Sequence, residues 1–82
     1  MARAHYYAER VSDDFVSLAI SAAELKAIEG VLSSLSSGEL QGYPVSVEVA
    51  TAEHPVFQYA VGRFKLNYTI SRKYLEVTSI MA

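Results

Sequence analysis

The sequence predicts an α+β protein in which an opening strand is followed by one or two short helices, packed on one face of a three- to four-stranded antiparallel meander. Two observations carry this prediction. Apolar and polar residues alternate through most of 55–82, as in strands with one buried face, and an apolar stripe at helical spacing follows a capping box at 21–24. We expect a single domain over 1–82, with a helical part at about 12–38 and the meander at about 45–81.

The chain is predicted to open with a strand over 5–11, in which Tyr6, Tyr7 and Val11 favour β structure. A short helix is predicted next, because Ser12 suits an N-cap and the two acidic residues after it suit the positive end of the helix dipole. Three residues would form its buried face: Phe15, Leu18 and Ala19. A strand over 15–20 is the alternative, since the segment is short and has two β-branched residues.

The second predicted helix begins at a capping box, in which Ser21 and Glu24 satisfy backbone groups at the helix start. Its apolar residues recur at spacings of three, four and three, and they form one stripe: Leu25, Ile28, Leu32 and Leu35. Gly30 costs a helix ~1 kcal/mol relative to alanine, so we expect it to mark close packing against another element. Gly38 is a natural residue to end the helix.

A connector separates this helix from the sheet, and it consists of Gly42, Tyr43 and Pro44. A further strand or extended segment is predicted after the connector from three alternating valines: Val45, Val47 and Val49.

The best-defined element is a hairpin around Gly62 and Arg63, where alternating segments flank a two-residue loop that begins with glycine. Such a loop suits a type II′ turn, which requires a positive φ at its first residue. Folding the chain there sets three apolar or aromatic pairs opposite each other: Val61 and Phe64, Tyr59 and Leu66, and Phe57 and Tyr68.

A second hairpin is predicted with its turn at Ser71 and Arg72, which sets two more pairs opposite each other: Leu75 and Tyr68, and Val77 and Leu66. This register separates a core face from a polar face. The polar face would carry a central row of Gln58, Asn67 and Glu76, flanked by Ala60, Lys65 and Thr78 on one side and by Val56, Thr69 and Tyr74 on the other.

The composition is that of a soluble globular protein, with 51% hydrophobic residues, 20% charged residues and a net charge of −2. No apolar run approaches the ~20 residues that span a bilayer and no signal-peptide pattern is seen, so we expect a cytoplasmic protein without membrane contact. The absence of cysteine excludes disulfides and thiolate metal sites. Neither a metal nor a cofactor is predicted, because His5 and His54 lie in unlike contexts with no carboxylate at ligand spacing.

Charge and tyrosine content both indicate an interacting surface. Residues 1–54 carry three basic and eight acidic side chains, whereas 55–82 carry four basic and one acidic, so the sheet half is +3 and the other half −5. This asymmetry favours an anionic partner for the sheet. Four of the six tyrosines are predicted to be exposed at an interface: Tyr6, Tyr7, Tyr43 and Tyr74.

Five features occur in order along nearly the whole chain: Ser12-Asp13-Asp14-Phe15, the apolar stripe of 25–35, Gly42-Tyr43-Pro44, Gly62-Arg63-Phe64-Lys65 and Leu66-Asn67-Tyr68. This order, with glycine and proline residues between the elements, resembles the RelE/ParE superfamily of small toxins from bacterial toxin-antitoxin modules. Members have an opening strand, two helices, a Gly-Pro connector and a strand pair joined around a Gly-x-aromatic-Arg motif that runs into an apolar-x-Tyr strand.

The resemblance implies either ribosome-dependent RNA cleavage or inhibition of DNA gyrase, each silenced by an antitoxin. Lys65 stands where ribonuclease-type members usually carry an arginine that faces the RNA phosphate, a change that keeps the charge but loses the bidentate fork. Such members carry further basic residues at the positions that are Val56, Gln58 and Ala60 here. They also carry a catalytic segment after the final strand, and the sequence through Ala82 shows no counterpart of it. We therefore expect a RelE/ParE-like protein that acts by protein binding, as a gyrase-type inhibitor or an inactive relative.

The expected binding residues lie on or beside the polar sheet face: Gln58, Arg63, Lys65, Asn67, Arg72 and Tyr74. The first alternative is an active ribosome-dependent endoribonuclease. Its phosphate would be bound by Arg63, Lys65 and Arg72, and its catalytic residues would be Lys65, Tyr74 and Glu76. The second is a small phage or accessory interaction module without toxin activity. The expected partner is a protein, either an antitoxin or a target enzyme, with RNA or a ribosome ranked second, and an edge strand offers a route to oligomers.

Overall fold

The structure, a computed structural model, describes residues 3–45 and 55–82. Along the chain it contains β1 (Ala4–Tyr7), α1 (Val11–Ser17), α2 (Ala22–Ser37), β2 (Tyr43–Pro44), β3 (Val56–Val61), β4 (Phe64–Ile70) and β5 (Tyr74–Met81). The strands form one five-stranded sheet in the order β1-β5-β4-β3-β2. The predicted α+β class is confirmed, but the sheet is larger than the predicted meander and is mixed, because β1 runs parallel to β5.

β1 and β5 are parallel neighbours at one edge of the sheet, although both helices and the other three strands separate them along the chain. The predicted strand over 5–11 is too long. Its ladder ends where the Ala8 amide donates to the Val77 carbonyl at 2.8 Å, and the Val11 amide then donates to the Ala8 carbonyl at 2.9 Å as α1 begins. Val11, predicted as a strand residue, is therefore a fully buried helix residue.

The segment after β1 is a helix, so the alternative of a strand over 15–20 is wrong. The helix begins one residue before the predicted N-cap Ser12, with both acidic residues in its first turn as expected. Phe15 and Leu18 pack half-buried against the core, as predicted. Ala19 does not, because it lies past the helix at φ 49° and is exposed.

Helix α2 confirms its predicted ends. The Glu24 amide donates to Ser21 Oγ at 3.1 Å and the Ser21 amide to Glu24 Oε1 at 3.0 Å, which completes the capping box, and Gly38 ends the helix at φ 88°. Three residues of the stripe are buried, whereas Leu25 in the first turn is 36% exposed. The prediction that Gly30 marks close packing is wrong, because a Cβ there would meet no atom within 4 Å.

Both helices pack on one face of the sheet. The buried core joins helix residues to the apolar residues of the two central strands: Val11, Ile28, Leu32, Leu35, Phe64, Leu66, Tyr68, Leu75, Val77 and Ile80. On β4 these are alternate residues, so the intervening side chains must point to the opposite face. No helix in the described residues is both long and apolar enough to cross a membrane.

The hairpin of β3 and β4 has the predicted register along its whole length, from Val56 opposite Thr69 to Val61 opposite Phe64. Gly62 lies at φ 57°, and Arg63 after it does not share this positive φ. A positive φ at the first loop residue alone is the signature of the predicted type II′ turn.

The hairpin of β4 and β5 has a different register from the predicted one. The Ser71 amide donates to the Tyr74 carbonyl at 2.9 Å, so the turn lies one residue later than predicted, at 72–73, and Tyr68 pairs with Val77. A β-bulge follows, after which Leu66 pairs with Ile80. The bulge inserts one residue, so the apolar side chain of Ile80 reaches the core face despite its even number.

The predicted connector also takes part in the sheet. Tyr43 and Pro44 form β2, which pairs with β3 opposite Gln58 and Phe57, and the Val45 amide donates to the Val56 carbonyl at 3.1 Å. The rest of the predicted strand, including Val47 and Val49, lies outside the described residues, as does His54.

Candidate functional site

The face of the sheet away from the helices is the candidate site, and we call it the open face. Residues opposite each other in a ladder point to the same side, which assigns to this face Ala4, Tyr6, Tyr43, Val56, Gln58, Ala60, Lys65, Asn67, Thr69, Tyr74, Glu76, Ser79 and Met81. All of them are exposed or half-buried, whereas every fully buried strand residue lies on the other face, on β4 and β5.

The central row of the open face is a chain of hydrogen-bonded side chains. Gln58 Nε2 donates to Asn67 Oδ1 at 3.0 Å, and Asn67 Nδ2 donates to Ser79 Oγ at 2.8 Å. Ser79 therefore takes the place predicted for Glu76, because the later turn moves Glu76 opposite Thr69 and the bulge then brings Ser79 opposite Asn67. At the bulge, Thr78 Oγ1 donates to the Asn67 carbonyl at 3.2 Å. The row fixes the two amides, so each has less capacity left for a partner.

The three residues named for nuclease catalysis do not come together. Glu76 lies opposite Thr69, four positions along β4 from Lys65, which is about 13 Å at the rise of a strand. Tyr74 lies beyond Glu76, next to the turn. A proton-transfer group must lie within hydrogen-bond reach of the reacting atoms, and one phosphate cannot contact both ends of this face.

The Arg63 side chain forms contacts within the fold. Its Nε donates to Glu24 Oε2 at 2.8 Å, one terminal nitrogen donates to the Leu18 carbonyl at 2.9 Å, and the guanidinium lies 4.3 Å from the centre of the Phe64 ring. These contacts join the β3–β4 turn to the first turn of α2 and to the segment between the two helices. The prediction that Arg63 binds a partner on the open face gains no support from its position.

The Arg63 contact makes Glu24 the clearest source of acid sensitivity. Hydrogen bonds from Arg63 and from the Ser21 amide hold the pKa of Glu24 at about 2, against an ordinary 4.5. A carboxyl with a lowered pKa stabilises the fold fully above its ordinary pKa, and this contribution is lost as the pH falls towards the folded value.

We expect Glu24→Gln to flatten the fall in melting temperature between about pH 4.5 and pH 2, the interval set by these two pKa values. Melting curves followed by circular dichroism across this range measure the effect. Glu39→Gln, at an exposed position after α2, is the matched control. Equal acid profiles for the Glu24 variant and the unaltered protein would contradict the assignment.

Arg72 and Lys73 occupy the β4–β5 turn, and both are exposed. Neither forms an ion pair with an acidic residue in the described part of the chain. The turn is anchored by Arg3, whose Nε donates to the Ser71 carbonyl at 2.5 Å. Arg72 is thus exposed at the edge of the open face, and its role in binding stays a prediction.

Three of the four tyrosines predicted to be exposed are exposed on the open face: Tyr6 at 43%, Tyr43 at 59% and Tyr74 at 40%. Tyr6 and Tyr74 lie side by side across β1 and β5, with ring centres 5.4 Å apart and ring planes inclined by 39°. Their proximity was not predictable from local pattern, since it depends on the parallel pairing of the first strand with the last.

Tyr7 is not exposed, because it points to the helix side and binds α2. Its hydroxyl donates to Glu29 Oε1 at 2.7 Å, and His5 Nε2 lies 2.9 Å from Glu29 Oε2, an ion pair when the ring is protonated. Burial and the Glu29 contact raise the pKa of Tyr7. Burial acts to raise the pKa of Glu29, but the hydrogen bonds from Tyr7 and His5 outweigh it, so the pKa is lowered. The cluster ties β1 to α2.

The fold and the site together define a small α+β protein with helices on one face of a mixed sheet and a tyrosine-rich open face on the other. Comparisons of the chain with models of protein families, with curated proteins and with solved structures gave no match.

Proposed function

We propose that this chain is a RelE/ParE-like toxin-fold protein that acts by binding a protein, as a gyrase-type inhibitor or as a relative without catalysis, under the control of an antitoxin. The order of elements supports the resemblance: an opening strand, two helices, a connector with Gly42 and Pro44, and a hairpin turned at Gly62. Phe64 and Lys65 open the strand after that turn, in the places of the aromatic and basic residues of the motif.

The separation of Lys65 from Tyr74 and Glu76 is the observation that favours binding over cleavage. Attack by a ribose 2′-hydroxyl requires a base, an acid and stabilisation of charge around one phosphate. Val56, Gln58 and Ala60, on the strand beside β4, bring no cation to that site. Lys65 alone supplies charge in the described part of the open face at that end, and a single exposed lysine does not organise a phosphorane.

The open face suits a protein partner. It combines exposed tyrosines, which supply large contact area at low entropic cost, with a fixed central row of amides. Its charges are sparse, which is unlike the basic grooves that follow a nucleic-acid backbone. A protein surface that covers the face buries the tyrosines and forms hydrogen bonds at its rim.

We expect no codon-phased cleavage of a translated message by the purified protein. Primer extension on messages in a reconstituted translation reaction measures it, with an active ribosome-dependent endoribonuclease as the positive control. Cuts that appear with the unaltered protein and disappear with Lys65→Ala would establish the nuclease alternative instead.

We expect the protein encoded beside this chain in its genome to bind the open face. In binding kinetics, Tyr74→Ala should increase the dissociation rate. Lys65→Glu should mainly slow association with an acidic segment of the partner, and the difference in association rate should become smaller as the salt concentration rises. Val16→Ser is the control, because Val16 is 81% exposed on helix α1. A partner that ignores both open-face changes, or responds only to the control, would contradict the proposal.

A further inference from the structure

One corner of the open face combines two aromatic rings with a carboxylate. Tyr6 and Tyr74 are 43% and 40% exposed, and their ring centres are 5.4 Å apart. Glu76 is the ladder partner of Tyr6 and follows Tyr74 by two residues on the same face of β5. Partial burial is the main cause of a raised pKa of Tyr6, and the nearby Glu76 carboxylate raises this pKa further.

We propose that Tyr6, Tyr74 and Glu76 form a receptor for one cationic side chain, an arginine or a lysine, presented by a protein partner. The faces of tyrosine rings carry negative potential and attract a guanidinium or an ammonium group, and an adjacent carboxylate adds direct charge complementarity. Arginine suits the site better than lysine, because its planar group stacks on a ring while its nitrogens donate to the carboxylate.

The chain does not fill this corner itself within the described residues. Among the described residues, the one cation that lies over an aromatic ring is Arg63, which lies over Phe64 at the opposite end of β4. Glu76 has no ion-pair partner among the described residues, where the two pairs are His5 with Glu29 and Arg63 with Glu24. A partner's cation therefore need not displace a described internal contact.

The neighbouring positive charges do not cancel the complementarity. Lys65 lies about 13 Å away along β4, beyond the ~8 Å screening length at physiological ionic strength. Arg72 and Lys73 lie in the adjacent turn and are exposed, so their repulsion of an incoming cation acts through water and is reduced by its high dielectric constant. Glu76 is half-buried between the strands, where its attraction at contact range is screened less.

This inference rests on the proposed function, because it names the chemistry of one contact with the protein partner. It predicts that a partner segment places a basic residue against the tyrosines, in contrast to the acidic segment that the net charge of the sheet half favours. An acidic residue of the same segment can reach Lys65 at the far end of the face.

The test is a titration of the protein with three blocked tripeptides, Gly-Arg-Gly, Gly-citrulline-Gly and Gly-Glu-Gly, followed by backbone amide NMR shifts. Citrulline keeps the shape of arginine and removes its charge. We expect saturable millimolar binding of the arginine peptide alone, with the largest shifts at Tyr6, Tyr74 and Glu76. Glu76→Gln should weaken it about threefold to fivefold, and Tyr74→Ala by a similar factor.

Tyr43→Ala is the matched control, because it removes another exposed tyrosine of the same face and should leave the arginine titration unchanged. Amide spectra of each variant before titration establish that it is folded. Equal shifts from the arginine and citrulline peptides, or stronger binding of the glutamate peptide at this corner, would overturn the receptor. The titration contains no protein partner, so a negative titration overturns the receptor and not the binding of a partner to the open face. In the same way, negative partner-binding kinetics overturn the proposed function and do not cancel a positive titration.

Discussion

Leu66→Ala is expected to lower the free energy of unfolding by about 2–5 kcal/mol. Leu66 is fully buried at the centre of β4, opposite Tyr59 on one side and Ile80 on the other, beneath the helix residues of the core. Truncation removes apolar contacts and leaves a cavity that the paired strands cannot close, because their backbones are fixed by the ladder. Urea denaturation followed by circular dichroism measures the loss.

The control is Lys65→Ala, one residue away on the same strand but exposed on the open face, for which we expect a change within about 0.5 kcal/mol. If Leu66→Ala is too unstable to purify, Leu66→Met provides a graded version, with an expected loss below about 1.5 kcal/mol. Comparable losses at positions 65 and 66 would contradict the assignment of the two faces.

The outcome for the two hairpins shows which registers a sequence determines. The β3–β4 register was predictable because Gly62 marks a turn that few other residues can form, and the pattern alternates without interruption on both sides. The β4–β5 turn has no glycine, so its position was one residue in error. The bulge was visible only indirectly, where Thr78 and Ser79 interrupt the alternation between Val77 and Ile80.

The first strand and the open-face corner show a second limit. Local pattern indicated that Tyr6 favours a strand, but nothing local placed that strand beside β5 rather than elsewhere in the sheet. The contact of Tyr6 with Tyr74 joins residues far apart in the chain, and it arises only once β1 pairs with β5. The same applies to Glu29, whose bonds to β1 depend on how α2 lies across the sheet.

Residue type alone also does not separate the two cations of the β3–β4 hairpin. Arg63 and Lys65 looked equivalent as candidates, since both belong to the motif after Gly62. The turn directs Arg63 to the helix side, where Glu24 and the Leu18 carbonyl bind it, whereas Lys65 on the open face stays exposed. Of the positive charge counted for the sheet half, one unit is therefore neutralised by a contact within the fold.

Gly42→Ala is expected to lower the free energy of unfolding by about 1–3 kcal/mol. An ideal Cβ at Gly42 would lie 2.5 Å from the hydroxyl oxygen of Tyr68 and 2.6 Å from the backbone oxygen of Gln58. The hydroxyl also accepts a hydrogen bond from the Gly42 amide at 2.9 Å, so a shift of the buried tyrosine breaks this bond. The cleft of about 180 Å³ beside it, lined in part by Phe57 and Ile70, should change shape in response.

Gly30→Ala is the matched control for the same change, because a Cβ there meets nothing within 4 Å and alanine is the better helix former. It should raise the free energy of unfolding by about 0.5–1 kcal/mol. Tyr68→Phe combined with Gly42→Ala should recover only part of the loss, since the Gln58 backbone oxygen remains in the way. Thermal and urea unfolding of the three variants together decide the point. If both glycine changes shift the free energy of unfolding in the same direction, the close contacts of position 42 with Tyr68 and Gln58 do not explain why glycine is needed there.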